Sequence, residues 1–249
     1  MNYTRTFLRE SFFAEEIIPL DKKDFHHEIN VLRKKEGDKF IVFDGKGSSG
    51  LAQVFKLDKK SFEIKILEVL PTEHRSGIDI NLGQALIKNN PFQFSVQKAT
   101  ELGVKDFSPL LTERISIKRQ DYNHLIEKCY QTAQGACEQC GENWLPVINS
   151  PQKVEYWASA SKAATKIVLF PGADKKLTDI DIKESVALAI GPEGDFTEQE
   201  IETLTKFGFV PVTIGNRILR AETATIAAIS ALRYGKKEFR NDIKKIITQ

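Results

Sequence analysis

The chain has 249 residues, 41% of them hydrophobic and 28% charged, and its 36 basic residues exceed its 34 acidic ones by only two. This length suits one large domain or two smaller ones, and the near-neutral balance gives no bulk charge that would demand a nucleic-acid partner. No apolar run reaches the roughly 20 residues that span a bilayer, and the first residues lack a secretory signal, so we expect a cytoplasmic protein without membrane contact.

The first part of the chain has the pattern of strands and turns. FIVFDGKGSSGLAQVFKL (Phe40–Leu57) places a Gly- and Ser-rich turn between two apolar runs, which predicts a β-hairpin. SFEIKILEVL (Ser61–Leu70) alternates apolar and polar residues, as a half-buried strand does. Residues 1–73 are therefore predicted to form a short β-barrel, followed by a linker around Pro71 to Gly77.

Beyond Gly77 short apolar runs alternate with helical patterns, which predicts a mostly parallel, helix-covered sheet in residues 74–249. Asn90 and Pro91 are expected to open a helix that Gly103 closes, and Asp121 to cap a longer one. The predicted strands are Ile80–Lys88, Val104–Leu111, Lys166–Phe170, Val186–Ile190 and Val210–Ile214.

Cys137 and Cys140 form a C-x-x-C pair beside a third cysteine, Cys129. Such a pair occurs in redox and zinc sites, but no second cysteine pair completes a metal site here. A helical pattern places Leu125, Cys129, Ala133, Ala136 and Cys140 on one face, so packing is the simpler interpretation and no metal is expected.

Two glycine-containing loops follow the last predicted strands, IGPEGDFTEQE (Ile190–Glu200) and IGNRILRAET (Ile214–Thr223). Ligands bind at the carboxyl ends of strands in open parallel sheets, so both loops are expected at one site. Thr197 and Glu200 predict a capping box at the start of the next helix. Neither loop matches a dinucleotide or triphosphate cradle, and the apolar Ile218 and Leu219 suit a nucleoside-like ligand.

These two loops closely resemble the paired motifs of the RsmE family, SPOUT-superfamily methyltransferases that act on uridine N3 in small-subunit ribosomal RNA. HHEINVLRKKEGD (His26–Asp38) resembles the family's N-terminal signature. QKATELGVKDFSPLLTER (Gln97–Arg114) resembles the segment that opens its catalytic domain. The resemblance covers nearly the whole chain, with its motifs in the family's order.

The resemblance implies an α/β protein with an N-terminal PUA-like β-barrel (1–73) and a SPOUT domain with a C-terminal trefoil knot (74–249). It also implies a homodimer that binds S-adenosylmethionine among the knot loops and acts on 16S ribosomal RNA or the small ribosomal subunit. The cofactor-binding residues that it implies are Leu169, Phe170, Ile190, Gly191, Glu193, Gly194, Ile214, Gly215, Ile218, Leu219, Arg220, Thr223 and Ala224.

Methylation of uridine N3 requires loss of the N3 proton, which spreads negative charge onto the flanking carbonyl oxygens. A guanidinium is always cationic and offers several planar donors, so Arg220 is the candidate for meeting that charge, although a salt bridge to Glu222 or Glu193 would also explain it. Glu193 and Glu222 are the candidate proton acceptors. Either one could instead orient Arg220 or cap a helix, and water could take the proton directly.

The barrel domain supplies candidate RNA contacts, although solvated surface charge is an equally good explanation for them. The candidates are Arg5, Arg9, His26, Arg33 and Lys34.

The sequence departs from the family pattern at Asp195, where the family usually has glycine, and at Gly135, Glu142 and Ile115. Two alternatives stay open: a related SPOUT enzyme with another RNA target, such as a ribose 2′-hydroxyl, or a ribosome assembly factor that binds RNA without turnover.

Overall fold

The computed structural model describes residues 3–20, 34–58, 61–72, 74–75, 77–115 and 121–238. The chain divides into two compact units, Met1–Arg75 with Cys137–Leu145, and Ser76–Ala136 with Pro146–Gln249. The sequence prediction assigned Cys137–Leu145 to the second domain, whereas their contacts lie with the first unit.

The first unit contains one five-stranded sheet with the strand order β1-β3-β4-β5-β2. The predicted hairpin is confirmed, because β3 and β4 pair antiparallel around the turn at Gly45, whose φ of 71° favours glycine. Alternate side chains of β4 and β5 are buried together in one apolar core. The strands are β1 (Arg5–Phe7), β2 (Ile17–Pro19), β3 (Lys39–Phe43), β4 (Ser49–Leu57) and β5 (Phe62–Val69).

The second unit contains a sheet of order β12-β10-β11-β6-β7-β8, with β9 also paired to β7. All of these pairings are parallel, so the prediction of a mostly parallel sheet is confirmed. The strands are β6 (Asp79–Ala85), β7 (Asp106–Leu111), β8 (Val147–Ile148), β9 (Gln152–Lys153), β10 (Thr165–Leu169), β11 (Ser185–Ile190) and β12 (Val210–Val212). Strand β11 is almost fully buried, as its unbroken apolar sequence requires.

Five helices accompany these strands in the described part of the chain: α1 (Asn89–Glu101), α2 (Asn123–Cys140), α3 (Val154–Ala160), α4 (Glu198–Lys206) and α5 (Ala221–Gly235). The capping box of Thr197 and Glu200 is confirmed at the start of α4. The predicted asparagine cap of α1 is wrong, because Lys88 occupies the N-cap position and makes no side-chain cap.

The cysteine pair has no metal-site geometry around it. In the described ranges no group of three His, Cys, Asp or Glu residues could hold a metal ion. Cys140 is exposed, against the prediction, and Cys137 takes its place in the buried face of α2. Burial raises the pKa of the Cys137 thiol well above its ordinary value, which keeps the sulfur protonated and unreactive.

The part of the chain that the structure describes holds no helix long and apolar enough to cross a membrane.

A partly buried ion pair ties the end of α5 to the rest of the second unit. Arg233 Nη1 lies 2.5 Å from Glu238 Oε2, with 12% and 16% of the two side chains exposed. Arg233 Nη2 also donates to the Gly103 carbonyl at 2.6 Å, and Glu238 Oε1 accepts from the Ile78 N–H at 2.6 Å. Removing one partner therefore leaves the other charge poorly solvated.

We expect Arg233→Ala to lower the free energy of unfolding by about 2–4 kcal/mol, because it leaves the Glu238 carboxylate without its cation and the Gly103 carbonyl without its donor. Urea denaturation measures this change. Lys183→Ala is the matched control, since the Lys183–Asp181 pair is 53% and 78% exposed and its loss should leave the free energy of unfolding close to that of the wild type. Equal losses in the two variants would contradict the anchoring role of Arg233.

Candidate active site

A cavity of about 530 Å³ opens where β10, β11 and β12 end and where α1 and α5 begin. Parallel strands place their carboxyl ends on one edge of a sheet, so the three following loops meet there although they are far apart in sequence. Its apolar wall consists of Leu169, Phe170, Ile190, Val212, Ile214, Ile218 and Leu219. Its charged lining consists of Lys88, Arg217, Arg220, Glu193, Asp195 and Glu222.

Most of the predicted cofactor-binding residues line this one cavity. They are Leu169, Phe170, Ile190, Gly191, Glu193, Ile214, Ile218, Leu219, Arg220 and Ala224. Gly194, Gly215 and Thr223 do not line it. Gly215 instead borders a neighbouring cavity of about 680 Å³ that shares Thr213 and Ile214 with the first.

Gly191 is required by close packing rather than by its backbone angles. A Cβ atom at Gly191 would lie 2.9 Å from Asp195 Oδ1 and 3.2 Å from the Phe196 nitrogen. Neither Gly191 nor Gly194 has a positive φ. The left-handed residue of this loop is Asp195, with φ at 61°.

Asp195 tolerates this conformation because its short polar side chain bonds locally. Its Oδ1 accepts from the Phe196 N–H at 2.8 Å, and its own N–H donates to the Pro192 carbonyl at 2.9 Å. Burial raises the pKa of the Asp195 carboxyl, while the Phe196 hydrogen bond and the nearby Arg114 charge act in the opposite direction. The carboxylate therefore replaces the family's glycine as a fixed part of the cavity wall.

The three predicted catalytic side chains all line the cavity. Arg220 is the N-cap residue of α5 and is exposed. No ion pair joins it to Glu193, Glu222 or any other described acidic residue. Glu193 accepts at Oε1 from the N–H of Lys88, the N-cap residue of α1, at 3.3 Å. Of the two carboxylates, Glu193 therefore has a structural partner at a helix start.

The residues of the first unit that were predicted to contact RNA differ in how exposed they are. Lys34 is only 7% exposed, its Nζ lies 4.6 Å from the centre of the Phe40 ring, and it bonds to Thr4. This burial removes Lys34 from the cations available to phosphate, so that prediction is corrected.

Arg5 is engaged in the first unit as well, over the Phe43 ring and with Asn143 Oδ1. Arg9 is exposed, whereas His26 and Arg33 lie outside the described residues.

Comparison with known proteins gives this cavity a context. Residues 74–233 match the model of an RNA methyltransferase domain, and residues 20–67 match that of an RNA methyltransferase PUA domain. The chain is 34% identical over 239 residues to ribosomal RNA small subunit methyltransferase E of Buchnera aphidicola (subsp. Schizaphis graminum), covering 92% of this chain and 95% of the relative. The chain belongs to the RsmE family.

Two solved RsmE-like structures extend the match to the fold. A methyltransferase from Legionella pneumophila, in complex with the bound cofactor SAM, has a TM-score of 0.90 and 31% identity, over 94% of this chain and 98% of that one. The ribosomal RNA small subunit methyltransferase E from Neisseria gonorrhoeae, bound to S-adenosyl methionine, has a TM-score of 0.87 and 30% identity, over the same shares of the two chains.

Two departures from the RsmE pattern receive a local explanation. Glu142 Oε1 accepts from the Trp144 N–H at 3.0 Å and so stabilises the turn after α2. Gly135 lies on the exposed face of α2, where an added Cβ would meet no other atom. Neither residue lines the cavity.

Sequence reasoning missed the residues that reach the cavity from the start of α1, Lys88 and Pro91, and it also missed Arg217. Lys88 and Pro91 could have been predicted from the sequence, because α1 follows β6, which pairs with β11. Arg217 lies in the loop motif Ile214–Thr223, beside Ile218. Nothing in its sequence position distinguishes it from an ordinary surface cation.

We expect Asp195→Ala to lower the free energy of unfolding by about 1–2 kcal/mol, because alanine in the left-handed region lacks the local hydrogen bond. Asp195→Gly, which restores the RsmE glycine, should stay close to the wild type. Urea denaturation of the two variants checks this difference, and equal stability would contradict it.

Asp195 should also contribute a pH dependence to stability. Its pKa is raised above the ordinary 3.8, so the folded protein holds this proton more tightly than the unfolded chain does. The resulting stabilisation is present below that ordinary value and is lost as pH rises through the raised one. Relative to wild type, Asp195→Asn should therefore gain stability as pH rises from below the ordinary pKa of 3.8 through the raised one, whereas a difference that stays constant with pH would exclude the effect.

Proposed function

We propose that this protein transfers a methyl group from S-adenosylmethionine to N3 of a uridine in 16S ribosomal RNA of the small ribosomal subunit. The observation that carries the proposal is the cavity at the ends of β10, β11 and β12. It lies within the matched RNA methyltransferase domain, and the relatives from Legionella and Neisseria bind the same methyl donor.

The cavity fits such a donor in size and chemistry. Its volume of about 530 Å³ lies in the range of small-molecule sites. Its apolar wall suits a nucleoside base, and its six charged residues, three of each sign, suit a ligand with an amino group, a carboxylate and a sulfonium. Gly191 lets the loop that forms this wall pack closely on itself, because a Cβ atom there would meet Asp195 and Phe196.

When bound, S-adenosylmethionine supplies a methyl carbon attached to a positively charged sulfur, which is a good leaving group. The new N3–carbon bond forms as the sulfur–carbon bond breaks, and the N3 proton must leave first or with it. The protein then contributes mainly by position, which can be worth roughly 7–11 kcal/mol of the barrier.

Arg220 is assigned to the negative charge that develops on the uracil carbonyl oxygens. Arg220 is exposed, lines the cavity and forms no ion pair with a described carboxylate, so its guanidinium is available to an incoming base. Glu222 lines the same cavity, and no hydrogen bond to its carboxylate is found within the described ranges. We assign it, directly or through water, to receive the N3 proton, because Glu193 already accepts from Lys88.

The proposal also includes the RNA-binding barrel, the knot and the cellular location that membership of the RsmE family implies. The first unit acts as a PUA-like barrel that contacts RNA, with Arg9 among its exposed cations, and the segments around β10 to α5 form a trefoil knot. The protein acts in the cytoplasm, where small subunits are assembled.

The protein also acts as a homodimer. Phe94 in α1, Ile218 in the loop before α5 and Tyr234 near the end of α5 are 43%, 89% and 76% exposed, and such exposed apolar side chains favour a partner surface on the second unit.

Mass mapping of 16S ribosomal RNA tests the reaction most directly. RNA from cells lacking the gene should lose one methyl group on a uridine base, and the purified protein with S-adenosylmethionine should restore it. Loss of a methyl group from a ribose would favour another target position. An unchanged map, together with no heat on titration of the donor, would favour a non-catalytic assembly factor.

Arg220→Ala should reduce turnover at least tenfold, a barrier increase of about 1.4 kcal/mol or more, with the fold intact. Arg220→Lys keeps the charge but not the planar donors, so its turnover should lie between those of the wild type and Arg220→Ala. Lys175→Ala removes an exposed cation outside the cavity lining and should leave turnover unchanged. A methyl-transfer assay at saturating donor and RNA measures all three, and wild-type turnover in Arg220→Ala would exclude the assigned role.

A further inference from the structure

The segment after β7 reaches the wall of the cavity from outside. Arg114 Nη1 donates to the Gly194 carbonyl at 2.9 Å. The Arg114 Cβ and Cδ atoms lie 3.4 and 3.5 Å from the position that a Gly194 Cβ would take. Both the guanidinium and the aliphatic part of this side chain therefore lie along the loop that follows β11.

The neighbouring residue makes a second tie to the same region. The Glu113 N–H donates to Glu200 Oε1 at 2.9 Å. The other oxygen of Glu200 accepts from the Thr197 N–H at 2.9 Å in the capping box of α4. Arg114 thus holds the loop at the Gly194 carbonyl, and Glu113 holds α4, the helix after the loop, at its first turn.

The loop between these two ties forms part of the cavity wall. Gly191, Glu193 and Asp195 line the cavity, whereas Gly194 does not and is bonded instead to Arg114. Asp195 is held in a left-handed conformation that few residues adopt. A loop with a left-handed residue needs contacts from outside the loop to keep one conformation. Because the cavity wall is then already ordered, less conformational entropy is lost when a ligand binds.

We propose that Arg114 is a positioning residue for the methyl-donor pocket, an inference that rests on the proposed function. Arg114 is absent from the cavity lining, so it acts through the Gly194 carbonyl rather than by touching the donor. Arginine suits the task because its planar head donates to a carbonyl while its stem packs against the loop. Lysine would keep the charge and part of the stem but not this fixed geometry.

Titration calorimetry with S-adenosylmethionine alone tests the inference without RNA. We expect Arg114→Ala to weaken donor binding about tenfold, as loss of a hydrogen bond to a charged group predicts. Arg114→Lys should recover part of the affinity. Glu113→Gln is the matched control and should bind like the wild type, because the Glu113 contact uses the backbone N–H.

Steady-state kinetics separate positioning from other roles. Arg114→Ala should raise KM for the donor, with kcat at saturating donor and KM for RNA unchanged. Thermal melting within about 3 °C of wild type shows that the fold is intact. If Arg114→Ala does not fold, Arg114→Met, which keeps an unbranched stem but has no donor, should show the same weaker binding of the methyl donor.

Unchanged donor affinity in Arg114→Ala beside a raised KM for RNA would overturn the positioning role and indicate a phosphate contact. Failure of the wild-type protein to bind the donor at all would instead overturn the proposed pocket, and the inference with it. The two failures are distinguished by the wild-type titration.

Discussion

The site depends on the parallel order of four adjacent strands, β12, β10, β11 and β6. Parallel pairing places their carboxyl ends on one edge, so the loops after them and the first turns of α1 and α5 surround a single cavity. No one segment could build this wall alone. The buried, uninterrupted apolar strands supply the rigid frame, and the loops supply the chemistry.

The loop after β11 shows how a segment without regular secondary structure is kept in one conformation. Its backbone turns at Asp195, its Glu193 carboxylate meets the start of α1, and its end passes into a capping box at the start of α4. These contacts are local and polar, and each satisfies a backbone group that would otherwise lack a partner. This part of the cavity wall is therefore held in place by hydrogen bonds to main-chain groups.

Sequence predicted the parts of this arrangement that depend on local physics. The apolar runs gave β10, β11 and β12, and the Thr197–Glu200 spacing gave the start of α4. The family resemblance added the cavity residues. Lys34 is buried over Phe40, and Cys137–Leu145 belong to the first unit. Both features depend on long-range packing, so no local sequence pattern predicts them. Asp195 was recognisable as a departure, but its contact with Gly191 required the folded loop.

The most direct test of the account is a crystal structure of this protein with S-adenosylmethionine. The account predicts that the donor occupies the cavity lined by Ile190, Ile214 and Leu219, in contact with backbone atoms of the loops after β11 and β12. A donor bound in the neighbouring cavity beside Leu177 and Leu232, or anywhere else away from these strand ends, would contradict it.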